Sequence, residues 1–204
     1  LLVGGSPCQS FSAVGFKGGL EDARGTLFYE YARIVKEVQP KVFIYENVRG
    51  MITHDKGNTW NIIKRIFKSL NYKITEPQIL NAVDYGIPQN RQRLFVVGFR
   101  ENIELKNNFV FPAKIELKTK ISDYLDEFVD DKYYLGQKGF EFVTTHPSRA
   151  QVGCDVMRCQ KANQQFNWNG DFIFEDYDKV KNNKEILKKA YVSTWNNKKG
   201  VIRK

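Results

Sequence analysis

The chain has 204 residues, 42% of them hydrophobic, and a net charge of +9 from 32 lysines and arginines against 23 acidic side chains. That size fits one medium domain or a domain and a half, and no apolar stretch approaches the length of a membrane span. Three cysteines, Cys8, Cys154 and Cys159, are too few and too unevenly placed for a disulfide framework, which points to a reducing, intracellular setting.

Charge is unevenly spread. Residues 1–100 carry 14 basic and 8 acidic side chains, residues 101–178 carry 9 and 14, and residues 179–204 carry 9 and 1. Two basic zones flanking a more acidic stretch could grip a phosphate backbone, although basic surfaces also serve solubility alone.

Residues 1–4 read as a short buried strand, followed by a glycine-rich loop to about Gly25. The chain opens directly on this strand, as expected of a piece of a longer protein. Leu27, Phe28, Tyr31, Ile34, Val35 and Val38 recur at helical spacing, and the helix must end before Pro40. The run Val42-Phe43-Ile44-Tyr45 predicts a strand covered on both faces. Trp60, Ile63, Ile66, Phe67 and Leu70 predict a second helix starting near Asn58. Residues 72–80 and 94–99 predict an antiparallel pair at a sheet edge, tightly joined through Gly86-Ile87-Pro88. This alternation is the α/β pattern.

After Arg100 the apolar periodicity weakens and aromatics, Asn and Lys multiply. A boundary near residue 125 separates an α/β domain (1–125) from a small, irregular, mostly β domain (126–204). Asn182-Asn183 and Asn196-Asn197-Lys198-Lys199-Gly200 read as turns or exposed loops. Lys179, Lys181, Lys184, Lys188 and Lys189 lie on a candidate helix, as a solvated face or as phosphate contacts.

Three polar signatures sit at strand edges. Cys8 lies in Gly4-Gly5-Ser6-Pro7-Cys8-Gln9, a tight turn after the first strand. Glu46-Asn47-Val48 follows the second strand, and Gln89-Asn90-Arg91-Gln92-Arg93 leads into the last. Singly, each is a common structural pattern: a turn with a small buried residue, a helix cap, a surface ladder of charges. Together they resemble a catalytic site, because adjacent parallel strands would bring Cys8 and Glu46 to one edge of the sheet. A thiol attacks as thiolate, which cations favour, and Arg91 and Arg93 could supply that positive field. Glu46 could donate a proton. Cys154, Cys159 and His146 offer three candidate zinc ligands where a structural site takes four, so packing is the better reading.

Four ordered segments carry a resemblance to the cytosine-5 DNA methyltransferase family, of the bacterial restriction-modification type. They are Gly4-Gly5-Ser6-Pro7-Cys8-Gln9-Ser10-Phe11-Ser12, Asp22-Ala23-Arg24-Gly25-Thr26-Leu27-Phe28, Pro40-Lys41 through Glu46-Asn47-Val48, and Gly86-Ile87-Pro88 through Arg93. Cys159-Gln160-Lys161-Ala162 and Gln165-Phe166-Asn167-Trp168 resemble the target-recognition domain of bacterial members less specifically. The resemblance implies a partial S-adenosylmethionine-dependent, Rossmann-like methyltransferase sheet and a partial target-recognition domain. It implies Cys8 as nucleophile on C6 of a flipped cytosine, Glu46 as donor to N3, Arg93 on the base carbonyl, and Arg91 bracing the site or contacting DNA. It places Pro7 and Leu27 against the cofactor, and Gln9, Ser10, Ser12, Arg24 and Gln89 against double-stranded DNA. The loop from Ser10 to Arg24 would close over the DNA.

The family's opening cofactor-binding segment and its closing segment have no counterpart in these residues. The expectation is therefore a chain that holds the nucleophile, lacks most of the S-adenosylmethionine pocket, needs a complementing amino-terminal segment and is inactive by itself. A bacterial cytoplasmic location follows from the same resemblance, which leaves open whether a cognate restriction endonuclease accompanies the chain. Two other functions remain open: tRNA cytosine-5 methylation, and a non-catalytic DNA-binding subunit of a split enzyme.

Overall fold

The computed structural model describes residues 1–6, 27–127, 129–160 and 168–204. Cys8, and with it Pro7, Gln9, Ser10, Ser12 and Arg24, lies outside the described residues. The structure divides into two compact units: residues 1–81 with 92–114, and residues 82–91 with 115–204. The expected single boundary near residue 125 therefore differs from this division. The loop expected to join two strands tightly is a ten-residue excursion belonging to the second unit. No helix among the described residues is long and apolar enough to cross a membrane.

In the first unit, β1 (Leu2–Gly4) pairs in parallel with β2 (Val42–Val48), matching Gly4 to Tyr45. Next to β2 runs β6 (Gln92–Arg100), antiparallel, from Val42 against Phe99 to Val48 against Arg93. Beyond β6 lie β3 (Tyr72–Ile74) and β4 (Gln78–Asn81), both antiparallel to it. The antiparallel pairing is as expected, but β6 lies inside the sheet rather than at its edge.

Helix α1 (Leu27–Val38) and helix α2 (Asn58–Ser69) share one core with this sheet. Arg33 bonds Glu30 and Glu37, three and four residues away, on the outer face of α1. Gln39 then turns to φ 45° before Pro40, which cannot continue a helix. Phe28, Tyr31, Ala32 and Val35 are buried, whereas Leu27, Ile34 and Val38 are exposed, so the core stripe is narrower than the spacing predicted. In α2, Trp60, Ile63 and Phe67 are buried, and Asn71 ends it at φ 64°, a conformation Asn tolerates.

The strand β2 alternates: Phe43, Tyr45 and Asn47 are buried, and Val42, Ile44, Glu46 and Val48 are half-buried. It is thus packed tightly on one face, not equally on both as expected. The rings of Phe43 and Phe67 lie 4.5 Å apart, and Tyr31 and Tyr72 also meet Phe43. Gly98 stands opposite Phe43, whose ring occupies the space where a Cβ would project.

The second unit is more helical than expected. Its sheet runs β10 (Ser193–Trp195), β11 (Lys198–Arg203), β9 (Gly170–Asp176), β7 (Ala150–Val152). A separate pairing joins β5 (Gln89–Asn90) in parallel to β8 (Met157–Arg158). Helix α3 (Gln137–Thr145) buries Phe140 and Val143 against Leu135, Ala150, Phe172 and Ile202. The lysine-rich segment forms two short helices, α4 (Tyr177–Val180) and α5 (Lys184–Lys189), broken at Asn182-Asn183. Asn196 and Asn197, at φ 49° and 63°, make the two-residue turn between β10 and β11. Lys198 and Lys199, expected in a loop, belong to β11.

Candidate active site

Glu46 lies within β2 rather than past its end, because hydrogen-bonded pairing with β6 continues to Val48. Arg93, one position from the start of β6, faces it across the strands. Arg93 Nε lies 3.0 Å from Glu46 Oε1, with the side chains 19% and 37% exposed. An ion pair this open is worth about 1 kcal/mol or less. Its consequence is orientation, since the guanidinium holds the carboxylate at a set angle and Nη1 also donates to the carbonyl of Gln92 at 2.9 Å. An acidic and a cationic side chain thus stand together near the end of β2.

The turn after β1 comes close to the same spot. A Cβ at Gly5 would run into the carbonyl oxygen of Glu46 and stand 3.1 Å from its Oε2. Only a glycine lets the chain pass there, so Gly5 ties the segment leading to Cys8 to the strand carrying Glu46. Ser6 is buried, and its Oγ lies 3.0 Å from the hydroxyl of Tyr45. Asn47 Nδ2 donates to the carbonyl of Ser6 at 2.7 Å and to the Tyr45 hydroxyl at 2.8 Å, and Asn47 Oδ1 accepts from the Val48 amide. Sequence reasoning passed over Ser6 and Tyr45. Tyr45 reads as one more apolar residue in a strand, and the only hint is a hydroxyl in an otherwise aliphatic and aromatic run.

The remaining predicted residues fall elsewhere. Leu27 begins α1 with 53% exposure. Arg91 and Gln89 belong to the second unit, where Arg91 Nη1 approaches Cys159 Sγ at 3.4 Å and Gln89 pairs with Met157. Cys154 lies near Asp171, and burial pushes both the thiol and the carboxyl up. Among the described residues, no three His, Cys, Asp or Glu side chains come together as a metal site.

The family described as C-5 cytosine-specific DNA methylase matches residues 1–204. The chain belongs to this family. Type II methyltransferase M.SsoII of Shigella sonnei is 46% identical over 136 residues, covering 66% of this chain and 36% of that protein. Type II methyltransferase M.HhaI of Haemophilus parahaemolyticus is 40% identical over 159 residues, covering 75% and 48%. Orphan methyltransferase M.SPRI of Bacillus phage SPR is 41% identical over 165 residues, covering 67% and 37%. The chain thus spans less than half the length of these relatives. Among solved structures, a DNMT2 variant of Spodoptera frugiperda superposes with a TM-score of 0.64 at 17% identity, covering 89% of this chain and 59% of that one. Dnmt2 of S. pombe gives 0.62 at 15%, covering 91% and 61%. These two share the fold, in keeping with the α/β methyltransferase class expected from the sequence. Within the C-5 cytosine-specific methylases, the Glu46–Arg93 pair stands on the segments that first suggested membership.

Proposed function

We propose that this chain is the catalytic and target-recognition part of a DNA (cytosine-5)-methyltransferase, which adds a methyl group to C5 of a cytosine flipped out of double-stranded DNA. The observation that carries this is the Arg93–Glu46 pair, held beside the Gly5-Ser6 segment that leads to Cys8. S-adenosylmethionine supplies the methyl group. Leu27, apolar and open, and Pro7 would touch it.

Cys8 adds as thiolate to C6 of the ring, forming an S–C6 bond. Glu46 takes up a proton from solvent and passes it to N3, so that the electron pair released by the addition is held at C5 instead of as a full negative charge on the ring. Arg93 bonds the O2 carbonyl while holding Glu46. After methylation, loss of the C5 proton to a base breaks the S–C6 bond, and Glu46 recovers its proton from N3. The thiolate leaves unchanged. Arg91, Gln9, Ser10, Ser12, Arg24 and Gln89 contact DNA.

A second observation bears on what the active protein contains. Leu1 and Val3, before and within β1, and Leu27 and Val38, in α1, are exposed at 80%, 62%, 53% and 62%. Among the described residues β1 pairs with β2 alone. Exposed apolar side chains on β1 and α1, with β1 paired on one side among the described residues, fit a protein in which a further segment carrying the rest of the cofactor pocket covers them. This chain by itself would then be inactive.

The test uses the complete parent reading frame in a host lacking cytosine methylation, beside a Cys8→Ala version, with 5-methylcytosine mapped by bisulfite sequencing. Marks in one fixed context that vanish with Cys8→Ala support the reading and reveal the site. Absence of DNA marks from a folded product refutes it, and methylated tRNA in the same cells would assign the chemistry to RNA.

A further inference from the structure

We propose that the hydroxyls of Tyr45 and Ser6 form a latch that positions the nucleophile-bearing turn against Glu46. The inference rests on the methyltransferase reading and concerns how its two reacting side chains are held. It begins with the alternation of β2. Tyr45 and Asn47 point to the buried face and Glu46 to the opposite one, so one three-residue stretch carries the proton donor on one side and a polar network on the other.

That network is closed upon the turn. Asn47 uses its amide nitrogen on both the Ser6 carbonyl and the Tyr45 hydroxyl, at 2.7 and 2.8 Å. The Tyr45 hydroxyl meets Ser6 Oγ at 3.0 Å. Ser6 is thereby held by its backbone and by its side chain at once. All three residues are buried, at 7% for Ser6, 3% for Asn47 and 0% for Tyr45, so water does not compete for these bonds.

The Tyr45 ring is itself immobilised. Its centroid lies 5.8 Å from Phe28, 5.2 Å from Tyr31 and 5.7 Å from Phe67, which anchors the hydroxyl to both helices. Only one residue, a proline, separates Ser6 from Cys8. A proline ring removes one of its two backbone torsions, and the residue before a proline is restricted as well. The latch therefore fixes the backbone at Ser6, two positions before the nucleophile in the sequence. A displacement near one ångström at a reacting atom can cost about a hundredfold in rate. Tyr45 and Ser6 are positioning residues, acting through Cys8 without touching the base.

The experiment compares the complete parent protein with Tyr45→Phe, Ser6→Ala and the double variant. DNA affinity, single-turnover methylation, and formation of the covalent adduct with DNA carrying 5-fluorocytosine are measured, because fluorine at C5 cannot leave as a proton does and the adduct persists. Each single variant is expected to slow adduct formation and methylation by about ten- to a hundredfold. DNA affinity should stay within about twofold, and the double variant should be no slower than the worse single, since both remove the same bond. Ile63→Val serves as a control that loosens the same core at a residue outside the ring contacts that hold Tyr45, leaving the three hydroxyl and amide groups in place. If Tyr45→Phe and Ser6→Ala form adduct at the wild-type rate, or if Ile63→Val slows it equally, the latch is overturned. If the wild-type protein forms no adduct at all, the methyltransferase reading itself fails.

Discussion

Glu46 and Arg93 are where residue-scale chemistry is most exposed to test. Under the proposed mechanism, replacing Glu46 by Gln removes the proton that would be offered to N3 while keeping the shape, so methyl transfer by the complete protein should fall about 10²- to 10⁴-fold with DNA binding retained. Stopped reactions with labelled methyl donor measure it, and an undiminished rate would remove Glu46 from the mechanism. Gly5→Ala should act differently, because its Cβ would strike the Glu46 carbonyl. It should cost about 1–3 kcal/mol in stability and also displace Glu46, which thermal melting and activity together would register. The pairing of Glu46 with Arg93 could be anticipated because ionisable groups beside buried strands form a pattern no packing rule produces, whereas Cys8 lies outside the described residues. The Ser6–Tyr45 bond could not be anticipated, because it depends on β1 lying parallel to β2 with Gly4 opposite Tyr45.

At the scale of elements, sequence periodicity located both helices of the first unit and missed the extent of the strands. The run Glu46-Asn47-Val48 looked like the end of a strand because it is polar. It continues β2 because β6 supplies hydrogen-bond partners as far as Arg93, and because Asn47 satisfies its buried amide on Ser6 and Tyr45. Helix α3 escaped notice because its buried large apolar side chains are just Phe140 and Val143, with Phe142 half-buried against the same core and Gly139 packed against Leu135 and Trp168. Gly98 offers a direct test of the sheet. In Gly98→Ala the added methyl meets a Phe43 ring that Tyr31, Phe67 and Tyr72 hold from other sides. A loss of about 1–3 kcal/mol is expected in denaturant melts, and a neutral result would mean that the ring can shift.

Over the whole molecule, each unit has its own means of cohesion. In the second, Arg203 Nε lies 2.7 Å from Glu175 Oε1, the Tyr134 hydroxyl donates to Glu175 Oε2 at 2.7 Å, and Arg203 Nη2 donates to the Asp126 carbonyl at 2.9 Å. The ion-paired side chains are only 6% and 9% exposed. Glu175→Ala would leave a buried guanidinium without its counter-charge, and about 3–5 kcal/mol should be lost in the melting of that unit. Buried tyrosines give a pH dependence. Burial pushes the phenols of Tyr31, Tyr72 and Tyr134 up from their ordinary value of 10.0, with neighbouring tyrosines adding to it for Tyr31 and the Glu175 carboxylate for Tyr134. Raised folded values mean that the unfolded chain releases these protons first as pH climbs. The stabilisation is complete below pH 10 and is lost above it, as pH rises towards the folded values. Melting temperature should be indifferent to these phenols up to about pH 9 and fall above pH 10. Phenolate absorbance of the folded protein would show them titrating late.

The sequence by itself determined the family, the α/β class, the two amphipathic helices and the three polar segments around Cys8, Glu46 and Arg93. Those follow from local periodicity and from residue types that carry chemistry, both of which are written along the chain. Only the tertiary structure decided that Glu46 stands inside β2, that Arg93 grips it from an interior strand, and that residues 82–91 leave the first unit for the second. It alone decided that the Tyr45 hydroxyl meets Ser6. The reason is physical: strand ends, sheet order and the partners of buried hydroxyls are settled by which distant backbone supplies the matching donors and acceptors, and no stretch of sequence carries that information alone.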